Sequence, residues 1–305
     1  VSDLVELPYK MIADYRYAVT GDINPKKYLG NKGACMFCGR SSSEVGFSHE
    51  AHAIPRGLGN QSLINLSECN DCNDLFSRHD EQLVKISEIS RSFSGGRGRN
   101  GSPIYVPAKG SKSRIERKGN NINISFAHGE PYFSYTVNSK DETLSLIFAL
   151  PPIRMVGLNK ALVHMGISLA KEEITARSPF IIDWLLGSFS ILPLHCDITF
   201  LGQPFAYVFL EVWVQNNEVV KDYPALVRFF YGMVAFTFYI PSNGDVAKIN
   251  PPPFTWFNQA IEGNQSIRHR AFEDEVTKNI KITVSLKVPK KSLEELINSF
   301  SNFDE

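Results

Sequence analysis

Cys35-Met36-Phe37-Cys38, Phe47-Ser48-His49-Glu50-Ala51-His52-Ala53-Ile54-Pro55 and Cys69-Asn70-Asp71-Cys72-Asn73 are the segments on which the reading of this chain turns. Each C-x-x-C is a tight turn that presents two thiolates to a common point. Four thiolates in that arrangement suit tetrahedral Zn²⁺, and a shell filled by protein sulfur makes the ion a structural staple. The chain has five cysteines. Its opening residues, Val1 to Leu4, carry neither a basic stretch nor an apolar run, so a cytoplasmic location is expected, and pairing of this kind then favours metal over disulfides. The fifth cysteine, Cys196, lacks a partner and reads as a buried free thiol.

The segment between the two pairs is long for a minimal zinc ribbon. Phe47 to Pro55 reads as a strand that carries histidines and an acid. A turn with Gly57, Gly59 and Asn60 follows, then Asn65, then the second pair with Asn73 directly behind it. From Cys35 to about Phe76 this order (His-x-x-Pro, a glycine-containing loop, an Asn, Cys-x-x-Cys-Asn) resembles the HNH, or ββα-metal, endonuclease family in its four-cysteine form. The resemblance implies a small zinc-stapled ββα-metal nuclease domain that hydrolyses DNA phosphodiester bonds. His52 then stands at the general base that deprotonates the attacking water. Asn65 stands at the loop Asn that holds the hairpin and orients that histidine through backbone contacts. Asn73 stands at the residue that ligates the catalytic divalent ion, Mg²⁺ or Mn²⁺. These residue types suit that chemistry: an imidazole takes a proton near neutral pH, and a hard cation with few protein oxygens stabilises developing phosphate charge.

One position departs from the pattern. Where the family has Asp, Glu or His immediately before the catalytic histidine as a metal ligand, this chain has Ala51. Glu50 and His49 are the nearest replacements. Strand alternation places Glu50 on the face of His52 and His49 on the face of Ala51, and a carboxylate suits Mg²⁺ better than imidazole does. Asp74 and His79 read as a solvated helix face, and Asn73 also suits a helix cap. His128, His164, His195 and His269 are isolated and carry no functional expectation.

Around this module the texture is that of a folded α+β protein. The chain has 305 residues, 43% hydrophobic and 21% charged, which fits two ordinary domains and excludes a disordered chain. No apolar run reaches the ~18 residues that a membrane span requires. Residues 1 to about 30 read as a helical or irregular lead-in with Tyr9, Tyr15 and Tyr17 as anchors, and Asn73 to Ile89 as a helix. Gly95 to Arg99 breaks the periodicity and marks a boundary. The expected division is a nuclease domain with its lead-in over 1–94, a connector over 95–120, and a larger mixed α+β domain over 121–305. In the last, strands are expected at 121–126, 132–137, 143–150 and 280–288, helices at 158–170, 179–186 and 293–300, and two or three apolar strands over 196–240.

Net charge is zero, so any phosphate-binding surface must be local. From Arg91 to Lys118 eight Lys or Arg stand against the single acid Glu116. Arg97, Arg99, Lys109, Lys112 and Arg114 are the candidate nucleic-acid contacts, although a flexible Gly/Ser-rich linker would look the same. The aromatic residues of the second half read as core. Pro251 to Trp256 reads as an exposed loop that could face a ligand. The expected function is a metal-dependent endonuclease acting on double-stranded DNA, in bacterial defence or modification-dependent restriction, with the C-terminal domain giving specificity or control. A homodimer or a small-molecule activator fits the same reading. The alternatives are an effector nuclease switched on by a nucleotide signal, and a non-catalytic zinc-knuckle protein that binds nucleic acid.

Overall fold

A computed structural model describes residues 9–96, 104–107, 109–119, 121–125, 127, 130, 133–188, 194–201, 205–216, 221–243, 265–271, 276–277, 281–291 and 294. The architecture is α+β with a cysteine cluster. Its centre is a six-stranded antiparallel sheet built from Tyr9–Ala18 (β1), Leu194–Phe200 (β9), Tyr207–Gln215 (β10), Ala225–Tyr231 (β11), Val234–Ile240 (β12) and Gln265–Ala271 (β13), in the order β1-β10-β11-β12-β9-β13. Register sets Tyr15, Leu210, Phe229, Phe236 and Ile198 in one row across five strands, and every one of them is buried. The next row over, Asp14, Glu211, Arg228, Thr237 and Asp197, points to the other face, as the period of two requires. There Arg228 donates to Glu211 at 3.2 Å.

Two expectations are corrected by this sheet. Within the lead-in, residues 9–18 are a strand rather than helical or irregular, and residues 19–26 are turn and coil. Tyr15, Tyr17 and Val19 face inward while Asp14 and Arg16 face water, and this alternation makes β1 an edge strand paired along its length with β10. The span 196–240 holds four strands rather than two or three, because the Gly232 turn divides one apolar run into β11 and β12.

The helix Met155–Thr175 (α3) lies across the inner face, packed on β1, β9, β10, β11 and β12. It is buried on nearly every side, as a central helix must be. Gly166 sets its closest approach: a Cβ there would stand 2.4 Å from Val227. Ile181–Leu186 (α4) adds Trp184, stacked on Phe238 with ring centroids 6.2 Å apart.

The cysteine-rich segment docks on the far side of α3. Its helix Asn70–Ile86 (α1) starts inside the second C-x-x-C, three residues earlier than the sequence suggests, with Cys69 rather than Asn73 at the cap. The helix buries Cys72, Phe76, Leu83 and Ile86 on one stripe and packs against α3. It ends at Ser87, and Glu88–Ser94 (α2) follows. The hydroxyl of Ser90 donates to the Tyr231 carbonyl and accepts from the Met233 amide, both at 2.5 Å, which clips α2 to the β11–β12 turn. Phe37, Phe76 and the cysteines belong to the same hydrophobic core as Phe229 and Phe236.

Phe47 to Pro55 is not a strand. Its pairing reduces to one bridge, His52 to Ile64, beside the short parallel pair Lys27–Leu29 (β2) and Leu63–Asn65 (β3). Residues 114–118, expected in a flexible connector, form Arg114–Lys118 (β4), paired with Asn121–Ser125 (β5) and packed on α2. Phe133–Asn138 (β6), Thr143–Ala149 (β7) and Lys281–Lys287 (β15) make a second sheet where strands were expected. The proposed helix at 293–300, the 251–256 loop, Arg97 and Arg99 lie outside the described residues. No helix among the described residues is long and apolar enough to cross a membrane.

Candidate active site and metal centre

The sulfur atoms of Cys35, Cys38, Cys69 and Cys72 all lie within 4.8 Å of one another. The first turn is closed by Gly39 N–H donating to Cys35 O at 2.9 Å and tied to the second by Met36 N–H donating to Ser67 O at 2.7 Å. α1 carries Cys72 one turn in from its cap, so the helix start and the metal centre are one construction. Arg40 donates to Cys38 Sγ at 3.4 Å and to Asp71 at 2.8 Å. Cys35 and Cys72 share a hydrogen bond at 3.7 Å, which holds the Cys35 thiol down at about 4 and pushes Cys72 up. Burial pushes Cys69 up to about 11. Four sulfurs converging on a largely buried point are a donor set for a metal ion such as zinc. Among the described residues no other group of three or more His, Cys, Asp or Glu donors converges in this way.

Beside this centre stands His52, its side chain 11% exposed. Its Nδ1 is buried without a hydrogen-bond partner. Its Nε2 lies 3.8 Å from Glu50 Oε2. Burial holds its pKa below the usual histidine value and Arg56 and Lys26 add to that, while Glu50 opposes it. Glu50, half-exposed, is paired with Lys26, which holds its carboxyl below the usual range. Ala51 is buried at 1% exposure, facing inward where the family pattern would have a ligand. His49 turns the other way and lies 3.8 Å from Asp74 on α1. The two candidate replacements for Ala51 therefore sit on opposite sides of the segment.

No protein-family model, no curated protein and no solved structure matches this chain.

The asparagines divide the structural work differently from the sequence expectation. Asn65 N–H donates to Ala51 O at 2.8 Å, a backbone contact one residue from His52. Its side chain turns away, accepting from Ser67 N–H at 3.0 Å and donating to Ser168 Oγ at 3.2 Å. Asn60 is the residue that braces the loop. It is fully buried, donates to Ile54 O at 2.8 Å and Leu63 O at 3.1 Å, and accepts from Ser62 N–H and Leu63 N–H. Asn70 does the same for the other flank, accepting from His49 N–H at 3.0 Å and donating to Ser48 Oγ at 3.0 Å. Asn73, half-buried in the first turn of α1, makes no side-chain hydrogen bond with the described residues.

His164 was assigned no role from sequence. Its Nε2 lies 2.9 Å from Glu68 Oε2, with both side chains at most 2% exposed, and its ring packs at a tilt against both Phe37 and Phe76. Glu68 directly precedes Cys69, so α3 grips the metal knuckle through an enclosed ion pair. Nothing in the sequence links positions 68 and 164; only packing does. Of the candidate basic contacts, Lys109, Lys112 and Arg114 are exposed on or before β4, and Lys112 N–H donates to Glu130 at 2.9 Å.

Proposed function

We propose that this protein is an endonuclease hydrolysing DNA phosphodiester bonds, with His52 as the general base and a four-cysteine zinc staple holding the frame. The observation that carries the reading is the state of His52: burial favours its neutral form, Nε2 faces the half-exposed Glu50, and the backbone is fixed by the bridge to Ile64. A neutral imidazole at pH 7 accepts a proton from water. Glu50, 3.8 Å away, then stabilises the imidazolium that forms. Among the described residues Glu50 is also the carboxylate best placed for a catalytic divalent ion, with Asn73 and His49 as further candidates. So sparse a shell fits Mg²⁺ or Mn²⁺, which keeps most of its water. Such an ion, when bound, supplies charge stabilisation for the phosphate.

The α3 domain, gripping the knuckle through His164 and Glu68, supplies specificity or control in this reading. A role in defence or in restriction of modified DNA fits that arrangement. The test is cleavage of supercoiled plasmid with Mg²⁺ or Mn²⁺, on unmodified, methylated and hydroxymethylated DNA. The reading expects cutting that falls about 10²- to 10⁴-fold in His52→Ala. Cutting that appears only with an added nucleotide would favour the signal-activated effector. DNA binding without cutting under any of these conditions would favour the non-catalytic zinc knuckle.

A further inference from the structure

From the end of β1 into the first residues of β2 the chain runs Asp22-Ile23-Asn24-Pro25-Lys26-Lys27-Tyr28, and residues 23–28 are all exposed. Ile23 is 93% exposed and Tyr28 55%. A single exposed apolar side chain is ordinary. Two of them bracketing a pair of lysines, on a loop that is held in place, are not. The anchor is Asp22, only 6% exposed. Its Oδ1 accepts from Asn24 N–H at 3.1 Å, and its Oδ2 accepts from Gln61 N–H at 3.2 Å, Ser62 N–H at 3.1 Å and the Ser62 hydroxyl. Asn24 Nδ2 donates to Arg16 O at 3.0 Å, and Lys27 N–H donates to Ser62 O at 2.7 Å. With the backbone fixed at both ends, Ile23 cannot fold back onto the core.

The loop adjoins His52. Lys26 reaches Glu50, which faces His52. Arg56, exposed one residue after Pro55, acts electrostatically on Lys26, Glu50 and His52 together. Three cations, Lys26, Lys27 and Arg56, therefore stand against two carboxylates, Glu50 and the buried Asp22. Lys27 rests over the Tyr15 ring at 5.9 Å, and neither it nor Arg56 has an ion-pair partner among the described residues. Positive charge beside a proton acceptor, rimmed by apolar side chains, is the chemistry that receives a polyanion with hydrophobic bases.

We infer that residues 23–28 and Arg56 form the surface on which double-stranded DNA docks, with Lys26, Lys27 and Arg56 taking backbone phosphates and Ile23 and Tyr28 contacting bases. Branched aliphatic side chains wedge between base steps in the minor groove, and an exposed Tyr offers a stacking face. The inference rests on the nuclease reading and adds a surface to it, separate from the β4 lysines.

Binding is measured by fluorescence anisotropy with a labelled DNA duplex, without added divalent ion and over a range of salt. Zinc content and circular dichroism check that each variant is folded. Lys26→Met and Arg56→Met are expected each to reduce the slope of log K against log salt by about one. Ile23→Ser and Tyr28→Ser are expected to weaken binding about tenfold with the slope unchanged, while Ile104→Ser, at a position 52% exposed elsewhere, binds as wild type. Loop variants that bind as wild type would overturn the inference, as would binding carried by Lys109, Lys112 and Arg114 instead. Tighter binding of single-stranded RNA would also overturn it, and so would wild-type self-association abolished by Ile23→Ser, which would make the occupant a second copy of the chain. Failure of the surface and failure of the nuclease reading are distinguishable. Cleavage lost in His52→Ala while loop variants bind normally sinks only the surface; absent cleavage with the expected binding pattern sinks only the catalysis.

Discussion

Burial lowers the pKa of His52, Arg56 and Lys26 lower it further, and Glu50 and Asp22 oppose them. Because the folded-state value lies below the 6.5 of the free side chain, the neutral form is favoured in the fold. This contribution to stability is present above 6.5 and is lost as pH falls through the folded-state value. Titration of the His52 imidazole by NMR checks the signs directly. Glu50→Gln is expected to move its pKa further down and Lys26→Met to move it up. The acid limb of a pH–rate profile should follow each shift in the same direction. A His52 that titrates at or above 6.5 in the wild type would contradict this account of the site.

At the scale of elements, the four-cysteine cluster and the start of α1 are one construction. Cys72 lies in the first turn of a helix capped by Cys69, and a closed four-thiolate site contributes its binding energy directly to folding. Elemental analysis is expected to find about one zinc per chain. Cys72→Ser is expected to lose it, with a large fall in melting temperature; retention of both would contradict the assignment. Asn60→Ala should cost about 1–3 kcal/mol, since it removes the Asn60 partner of the buried Ile54 carbonyl and Leu63 amide, while Leu63 O keeps Ala53 N–H and Ser62 N–H keeps Asp22; denaturant unfolding measures it. The contrast between Asn60 and Asn65 shows what was legible in the sequence and what was not. The two C-x-x-C pairs located the four-sulfur cluster because thiolate spacing is local. Which asparagine braces the loop depended on where its side chain pointed, and no spacing encodes that. The strand expected over 47–55 shrinks to one bridge because only Ala51 and Ala53 bond to β3, while Asn70 takes the His49 N–H and Asn60 the Ile54 carbonyl. The β1 strand was missed in the sequence despite the alternation at Tyr15, Tyr17 and Val19, because its partner, β10, lies about two hundred residues downstream.

Taken whole, the molecule has one core running from the cysteine segment through α3 to the six-stranded sheet, clipped by Ser90 on Tyr231 and by His164 on Glu68. Unfolding followed by tryptophan fluorescence, to which Trp184 and Trp213 of the sheet region contribute alongside Trp256, should coincide with zinc release; two separated transitions would contradict a shared core. His164→Ala is expected to destabilise by about 3 kcal/mol, because it leaves the enclosed Glu68 carboxyl only the long 3.5 Å contact from Asn65. In the proposed reading, that coupling is the route by which α3 bears on His52. The chemistry itself is decided by supercoiled-plasmid cleavage with Mn²⁺, comparing wild type with a His52→Ala protein of equal zinc content and equal melting temperature. The account predicts cutting by the wild type and a loss of at least about 10²-fold in the variant; equal cutting by both, or none by either, would contradict it.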